Sequence, residues 1–163
     1  MPLVGPVSLH GIKCKRAIEK GDDLVSIVIE EAKGSGFRIR DNDVIILSHT
    51  VVSKAFGLRV KLSEVKPSAI AIAIAERLGR RAEVVEVILR EAKDVARIER
   101  NRIITMARSG VVSANSQVDH SNVGSEDDVV IAPRNPDMLA RKIRREFQSR
   151  GYEVAVILTD TLG

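Results

Sequence analysis

Apolar and polar residues along the 163-residue chain alternate between helical and strand spacing often enough to outline most of its elements. Leu24, Ile27, Val28 and Ala32 recur at helical spacing over residues 24–33. Asp22 or Asp23 supplies the N-cap, and Gly34-Ser35-Gly36 the stop. The turn Asp41-Asn42-Asp43 feeds Val44-Ile45-Ile46-Leu47, a continuous apolar run that predicts a strand buried on both faces. Residues 67–78 alternate Ala and Ile like a strand, but the early Pro67, the Ala and Glu content and the Gly79 stop predict a helix.

The second half reads similarly. Val84, Val85, Val87, Ile88, Leu89 and Ala92 give helical periodicity with polar interruptions, predicting a helix over residues 82–95. Residues 102–106 and 111–114 flank Ala107-Arg108-Ser109-Gly110 and predict a β-hairpin. Residues 129–132 form a short strand. Asn135-Pro136-Asp137 then opens a basic amphipathic helix to about Arg150, with Met138, Leu139, Ile143 and Phe147 on its apolar side. A last buried strand over residues 154–158 runs into Thr159-Asp160-Thr161-Leu162-Gly163. The expected class is α+β (mixed α/β), a central mixed β-sheet with flanking helices, with no internal domain boundary.

Composition narrows the class without choosing a function. A hydrophobic share of 44% with 29% charged residues describes a soluble globular protein and excludes disorder. No apolar run approaches the roughly 20 residues needed to span a bilayer, and the N-terminus lacks the layout of a secretory leader. A single cysteine makes neither an internal disulfide nor a thiolate metal cage, which suits a reducing compartment. The expectation is a cytoplasmic protein. Its net charge of +4 invites nucleic acid, but three Phe, one Tyr and no Trp offer few platforms for stacking bases. A basic balance equally suits a pocket for small polyanions such as nucleotides.

Three polar segments that follow strands are the candidates for chemistry. The loop from Ser113 through Gly124 crowds hydroxyl, amide and carboxylate groups together. It suits a hard cation whose shell phosphate completes, or it is a surface loop of Asx-turns. Thr159-Asp160-Thr161 carries the same two readings, a metal ligand or the N-cap of a helix to follow. Asp119 and Asp160, each just after a strand, could converge on one sheet edge. Ser48-His49-Thr50-Val51-Val52-Ser53-Lys54-Ala55 places a lysine after a hydroxyl-rich turn, where it can act as a point charge on phosphate or remain a solvated helix residue. The chain has neither a GxxxxGK[ST] nor a GxGxxG loop, and His10, His49 and His120 show no metal-ligand spacing.

These motifs, in this order, resemble the coenzyme F-420-0:γ-glutamyl ligases. The resemblance runs through Gly21-Asp22-Asp23-Leu24, Asp43-Val44-Ile45-Ile46, Val52-Ser53-Lys54-Ala55-x-Gly57, Asn115-x-x-Val118-Asp119-x-Ser121-Asn122-Val123, Pro136-Asp137 and Thr159-Asp160-Thr161-x-Gly163. It implies an incomplete F-420 ligase-like fold, the N-terminal part of a ligase domain whose relatives continue beyond the Thr-Asp-Thr strand. It implies GTP-dependent amide bond formation between L-glutamate and coenzyme F-420-0 through an acyl phosphate. Two divalent ions, manganese or magnesium, are implied, with potassium as a further candidate. By position, Asp119 and Asp160 would bind one metal and Thr161 a second. Ser48, His49, Lys54 and Asn122 would contact GTP, together with the loop Gly11-Ile12-Lys13-Cys14, where this chain lacks the family's proline. A homodimer is implied, and no membrane or nucleic-acid partner. Two other classes compete: a non-catalytic nucleotide- and metal-binding module, and a basic nucleic-acid-binding protein, which would bind polyanions in a salt-dependent way.

Overall fold

The computed structural model describes residues 5–99, 102–120 and 127–160. Helix α1 (Leu24–Gly34) starts where the Asp23 carboxylate accepts hydrogen bonds from the Ser26 amide and hydroxyl, at 3.1 and 2.9 Å. These satisfy donors that the first helical turn leaves open. Strand β1 (Val44–Ser48) leads directly into the short helix α2 (His49–Ala55), and strand β2 (Arg59–Lys61) follows. Helices α3 (Ala69–Leu78) and α4 (Ala82–Glu91) form a hairpin, capped between them by Gly79 at φ 62°. Strands β3 (Ala92–Glu99), β4 (Arg102–Ala107) and β5 (Val112–Ala114) come next. Strand β6 (Asp128–Val130), helix α5 (Pro136–Ser149) and strand β7 (Ala155–Thr159) complete the described elements.

The α+β class expected from the sequence holds. Among the described residues the strands lie in three small sheets rather than one central sheet: parallel β1–β7, antiparallel β2–β6 and antiparallel β3–β4–β5. The largest core joins Leu24, Val25 and Ile27 of α1 to Val52 of α2 and to Leu139, Ile143 and Phe147 of α5. Those three α5 residues recur every four positions and so share one stripe. Met138, expected on that stripe, is 57% exposed, because the position before Leu139 points about 100° around the helix. A second core packs Ala71, Ala75 and Leu78 of α3 against Val85 and Ile88 of α4 and Ile103 of β4.

Two further expectations are corrected. The helix expected over residues 82–95 ends at Glu91. From Ala92 the backbone is extended and pairs with β4, beginning at Ala92 opposite Ala107. Strands β1 and β7 are not buried on both faces. Ile45, Leu47, Val156 and Leu158 turn toward the main core, while Val44, Ile46 and Ile157 are each about half exposed. The capped helix starts, the α3 assignment and the β4–β5 hairpin match the expectation.

Candidate nucleotide and metal site

Register builds the first half of the site. β1 and β7 run parallel with Ser48 opposite Thr159, so the next residues, His49 and Asp160, leave the sheet side by side. His49 Nδ1 lies 3.0 Å from Asp160 Oδ1, close but outside hydrogen-bond alignment. The imidazole is buried, and neither of its nitrogens has a hydrogen-bond partner among the described residues. A buried ring with unmet polar atoms beside a carboxylate is unusual in a purely structural setting. Ser48 caps α2, its hydroxyl accepting from the Thr50 amide at 3.2 Å.

The second half comes from the segment after β5. Asp119 is pinned to β6 by two backbone hydrogen bonds with Val130, 2.9 and 2.8 Å. Its Oδ2 accepts from Thr50 Oγ1 at 3.2 Å. Consecutive residues at the head of α2, His49 and Thr50, therefore engage Asp160 and Asp119. The two carboxylates expected to converge do meet around one helix start, though from different sheets.

Between β5 and Asp119 the chain makes a single left-handed turn. Asn115, Ser116 and Gln117 have φ of 55°, 53° and 58°, three successive non-glycine residues in a region that costs roughly 1–2 kcal/mol each. Strong anchors hold it. Ser116, buried, donates from Oγ to the Ile88 carbonyl at 2.9 Å, and its amide donates to Thr105 Oγ1 at 2.9 Å. Asn115 Oδ1 accepts from the Ile103 amide at 3.2 Å and from Arg80 at 3.1 Å. The product of the turn is the placement of Gln117, whose Nε2 donates to Asp160 Oδ2 at 3.0 Å. Backbone strain held in place by buried hydrogen bonds next to paired carboxylates is a mark of a functional site.

Beside Asp119 opens a cleft of about 430 Å³, lined by Arg80, Arg81, Asn115, Val118, Asp119 and His120 among others. The left-handed Gly79 lets the chain reverse after α3, and the Arg80 amide bonds back to the Ala75 carbonyl at 3.0 Å. Arg81 pairs with Glu83 at 3.4 Å and Asp127 at 3.6 Å. The Ser63 hydroxyl, then Arg81, hold the Asp127 carboxyl below the usual aspartate range.

The remaining predicted residues are placed as follows. Lys54 is buried in the last turn of α2. Thr161 and Asn122 lie outside the described residues. In the 11–14 loop, Gly11, Lys13 and Cys14 are exposed and Ile12 packs on the main core. Its neighbours hold it over the end of α1: the Lys15 amide donates to Glu31 at 3.0 Å, and the His10 ring lies 4.4 Å from that of Phe37. Thr50, Gln117 and Arg80 received no role from the sequence. Only Thr50 and Gln117 stood within the polar segments, and nothing in residue type marked either as a carboxylate partner.

Two carboxylates fit a divalent cation poorly as a complete cage. Among the described residues no three His, Cys, Asp or Glu side chains are grouped to hold one. They fit well the usual nucleotide arrangement, in which magnesium or manganese takes one or two carboxylates and fills its shell with phosphate oxygens and water.

A family model described as F420-0:Gamma-glutamyl ligase matches residues 11–163. The chain belongs to this family. It is 42% identical over 156 residues to the coenzyme F420:L-glutamate ligase of Methanopyrus kandleri, covering 95% of this chain and 60% of that protein. It is 39% identical over 160 residues to the enzyme of the same name from Methanothermobacter thermautotrophicus, covering 96% and 62%. With that of Methanocaldococcus jannaschii it shares 40% over 128 residues, covering 78% and 51%. The chain thus spans half to three fifths of these relatives. Among the described residues of this family member, no helix is long and apolar enough to cross a membrane.

Proposed function

We propose that the chain carries the nucleotide- and metal-binding part of an F-420 ligase, which joins L-glutamate to coenzyme F-420-0 at the expense of GTP. The observation that supports this most directly is the meeting of Asp119 and Asp160 around the head of α2, through Thr50 and His49. Carboxylate activation of this kind has two steps. The substrate carboxylate oxygen attacks the γ-phosphorus of GTP and GDP departs, leaving an acyl phosphate. The glutamate amine then attacks the acyl carbon, phosphate leaves and the nitrogen loses a proton. Phosphoryl transfer needs positioning and charge compensation more than a protein nucleophile.

The chain's own residues serve these ends. Asp119 and Asp160 would hold the divalent ion, with Thr161 contributing to a second. When bound, such an ion offsets the charge of the phosphate oxygens. Gln117 and Thr50 orient the two carboxylates. Lys54, Ser48, His49 and Asn122 would contact GTP. Residues 11–14 belong to this reading only through the resemblance, since Ile12 packs on the main core and the flanking His10 and Lys15 contact Phe37 and Glu31. Homodimerisation, a cytoplasmic location and a potassium ion belong to the same proposal.

The test is calorimetric titration of GTP with manganese into the folded chain and its Asp119→Ala and Asp160→Ala variants, followed by incubation with F-420-0 and labelled glutamate. Manganese-dependent GTP binding lost in both variants is the expected result. Binding that survives both substitutions overturns the metal assignment. Binding without glutamate transfer identifies a nucleotide-binding module that needs the rest of the longer relatives for catalysis.

A further inference from the structure

We propose that Arg80 anchors the carboxylate of the incoming amino acid, making the cleft beside Asp119 the acceptor-amine site. This rests on the ligase reading and extends it to residues that the resemblance did not assign. Arg80 is half-buried, and its guanidinium is aimed by a hydrogen bond to Asn115 Oδ1 at 3.1 Å. That amide oxygen carries no full charge, and among the described residues Arg80 has no carboxylate partner. The adjacent Arg81 differs, being balanced by Glu83 and Asp127. A guanidinium held in a cleft without a counter-charge is a receptor for an anion, and its planar fork matches a carboxylate.

The rest of the cleft argues for an amino acid over a bare phosphate. Val84, Ile88, Val118 and Val129 give it apolar walls, suited to the methylene groups of a glutamate side chain. Asp119 lies in the same cleft and marks its border with the proposed metal site. An amino acid anchored by its carboxylate on Arg80 would extend its amine toward the edge of the proposed metal site, where the activated carboxyl must be attacked. The strained Asn115–Gln117 turn then serves both halves: Asn115 aims Arg80, and Gln117 steadies Asp160.

Equilibrium dialysis of labelled L-glutamate against the full chain, with GTP and manganese, tests this. Arg80→Gln keeps a donor for Asn115 and removes the charge, and Arg80→Ala removes both. The expected result is saturable glutamate binding weakened at least tenfold in both variants, with GTP–manganese binding unchanged and no displacement by inorganic phosphate. Glutamate bound by a folded Arg80→Gln variant within twofold of the parent chain overturns the inference. So does displacement by phosphate, which would make the cleft a phosphate site, and so does the absence of glutamate binding by a chain that binds GTP and manganese. Failure of the parent chain to bind GTP and manganese is a separate outcome and removes the underlying ligase reading.

Discussion

The Gln117 amide donates a 3.0 Å hydrogen bond to Asp160 across 43 positions of sequence, and it does so from a backbone conformation that glutamine seldom adopts. Residue 117 therefore has two separable duties, closing a left-handed turn and holding a carboxylate. Glycine performs the first without strain and cannot perform the second. Gln117→Gly should leave the melting temperature unchanged or slightly raised while weakening manganese binding in the presence of GTP by about tenfold, as loss of a ligand-orienting partner does. Thermal unfolding and calorimetry on the same preparations check both halves. Unchanged metal affinity would reduce Gln117 to a turn residue.

Ser116 carries the turn itself. Its hydroxyl sits 2.9 Å from both the Ile88 carbonyl and Thr105 Oγ1, in a fully buried position. Ser116→Ala leaves the Ile88 carbonyl without that donor and keeps the unfavourable φ of 53°. The expected loss is about 1–3 kcal/mol, the usual range for an orphaned buried polar group. Urea unfolding measures it. A loss below about 0.5 kcal/mol would mean that the turn is held by Asn115 and by the backbone amide of residue 116 rather than by the hydroxyl.

The site was legible in its residue types and not in its geometry. Asp119 and Asp160 stood out as carboxylates following strands, and N-caps such as Asp23 and Asn135 declared themselves through local chemistry. What joined the carboxylates was the parallel register of β1 with β7, a non-local pairing that no local pattern encodes. The turn at Asn115–Gln117 was equally hidden, because Ser and Gln rarely mark left-handed backbone. The expected helix runs into the first residues of β3, 92–95, because the apolar periodicity of residues 84–92 leads into them; pairing with β4 overrides that preference. The half-exposed β1–β7 pair was misjudged for a related reason. A continuous apolar run signals burial on both faces, yet among the described residues the main core takes up Ile45, Leu47, Val156 and Leu158 and leaves Val44, Ile46 and Ile157 about half exposed.

Acid should expose one packing contact in the α3–α4 hairpin. Glu86 accepts from the Ser68 amide at 2.9 Å and pairs with Arg90 at 2.8 Å. The Ser68 hydrogen bond, more than Arg90, holds its carboxyl below the ordinary glutamate value. Since the folded form binds its proton less readily than the unfolded chain, this contribution is complete above the ordinary glutamate range and is lost as pH falls through the lower folded value. Glu86→Gln should therefore narrow the difference in melting temperature between pH 6 and pH 3.5. An undiminished difference would assign the acid sensitivity to other carboxylates, Asp23 among them.

Gly79 separates backbone strain from packing. Its φ of 62° is left-handed, and a Cβ built there meets no atom within 4 Å. The cost of Gly79→Ala should be conformational only, about 1 kcal/mol in urea unfolding, and Gly79→Asn should cost less because asparagine tolerates this region. Gly57 makes the contrast. It combines a φ of 70° with Lys20 side-chain carbons 2.7–2.8 Å from a Cβ, so Gly57→Ala must also displace Lys20. If Gly79→Ala cost several kcal/mol, open space at that position would be the wrong description. The reversal that presents Arg80 to the cleft would then depend on close packing rather than on a permissive residue.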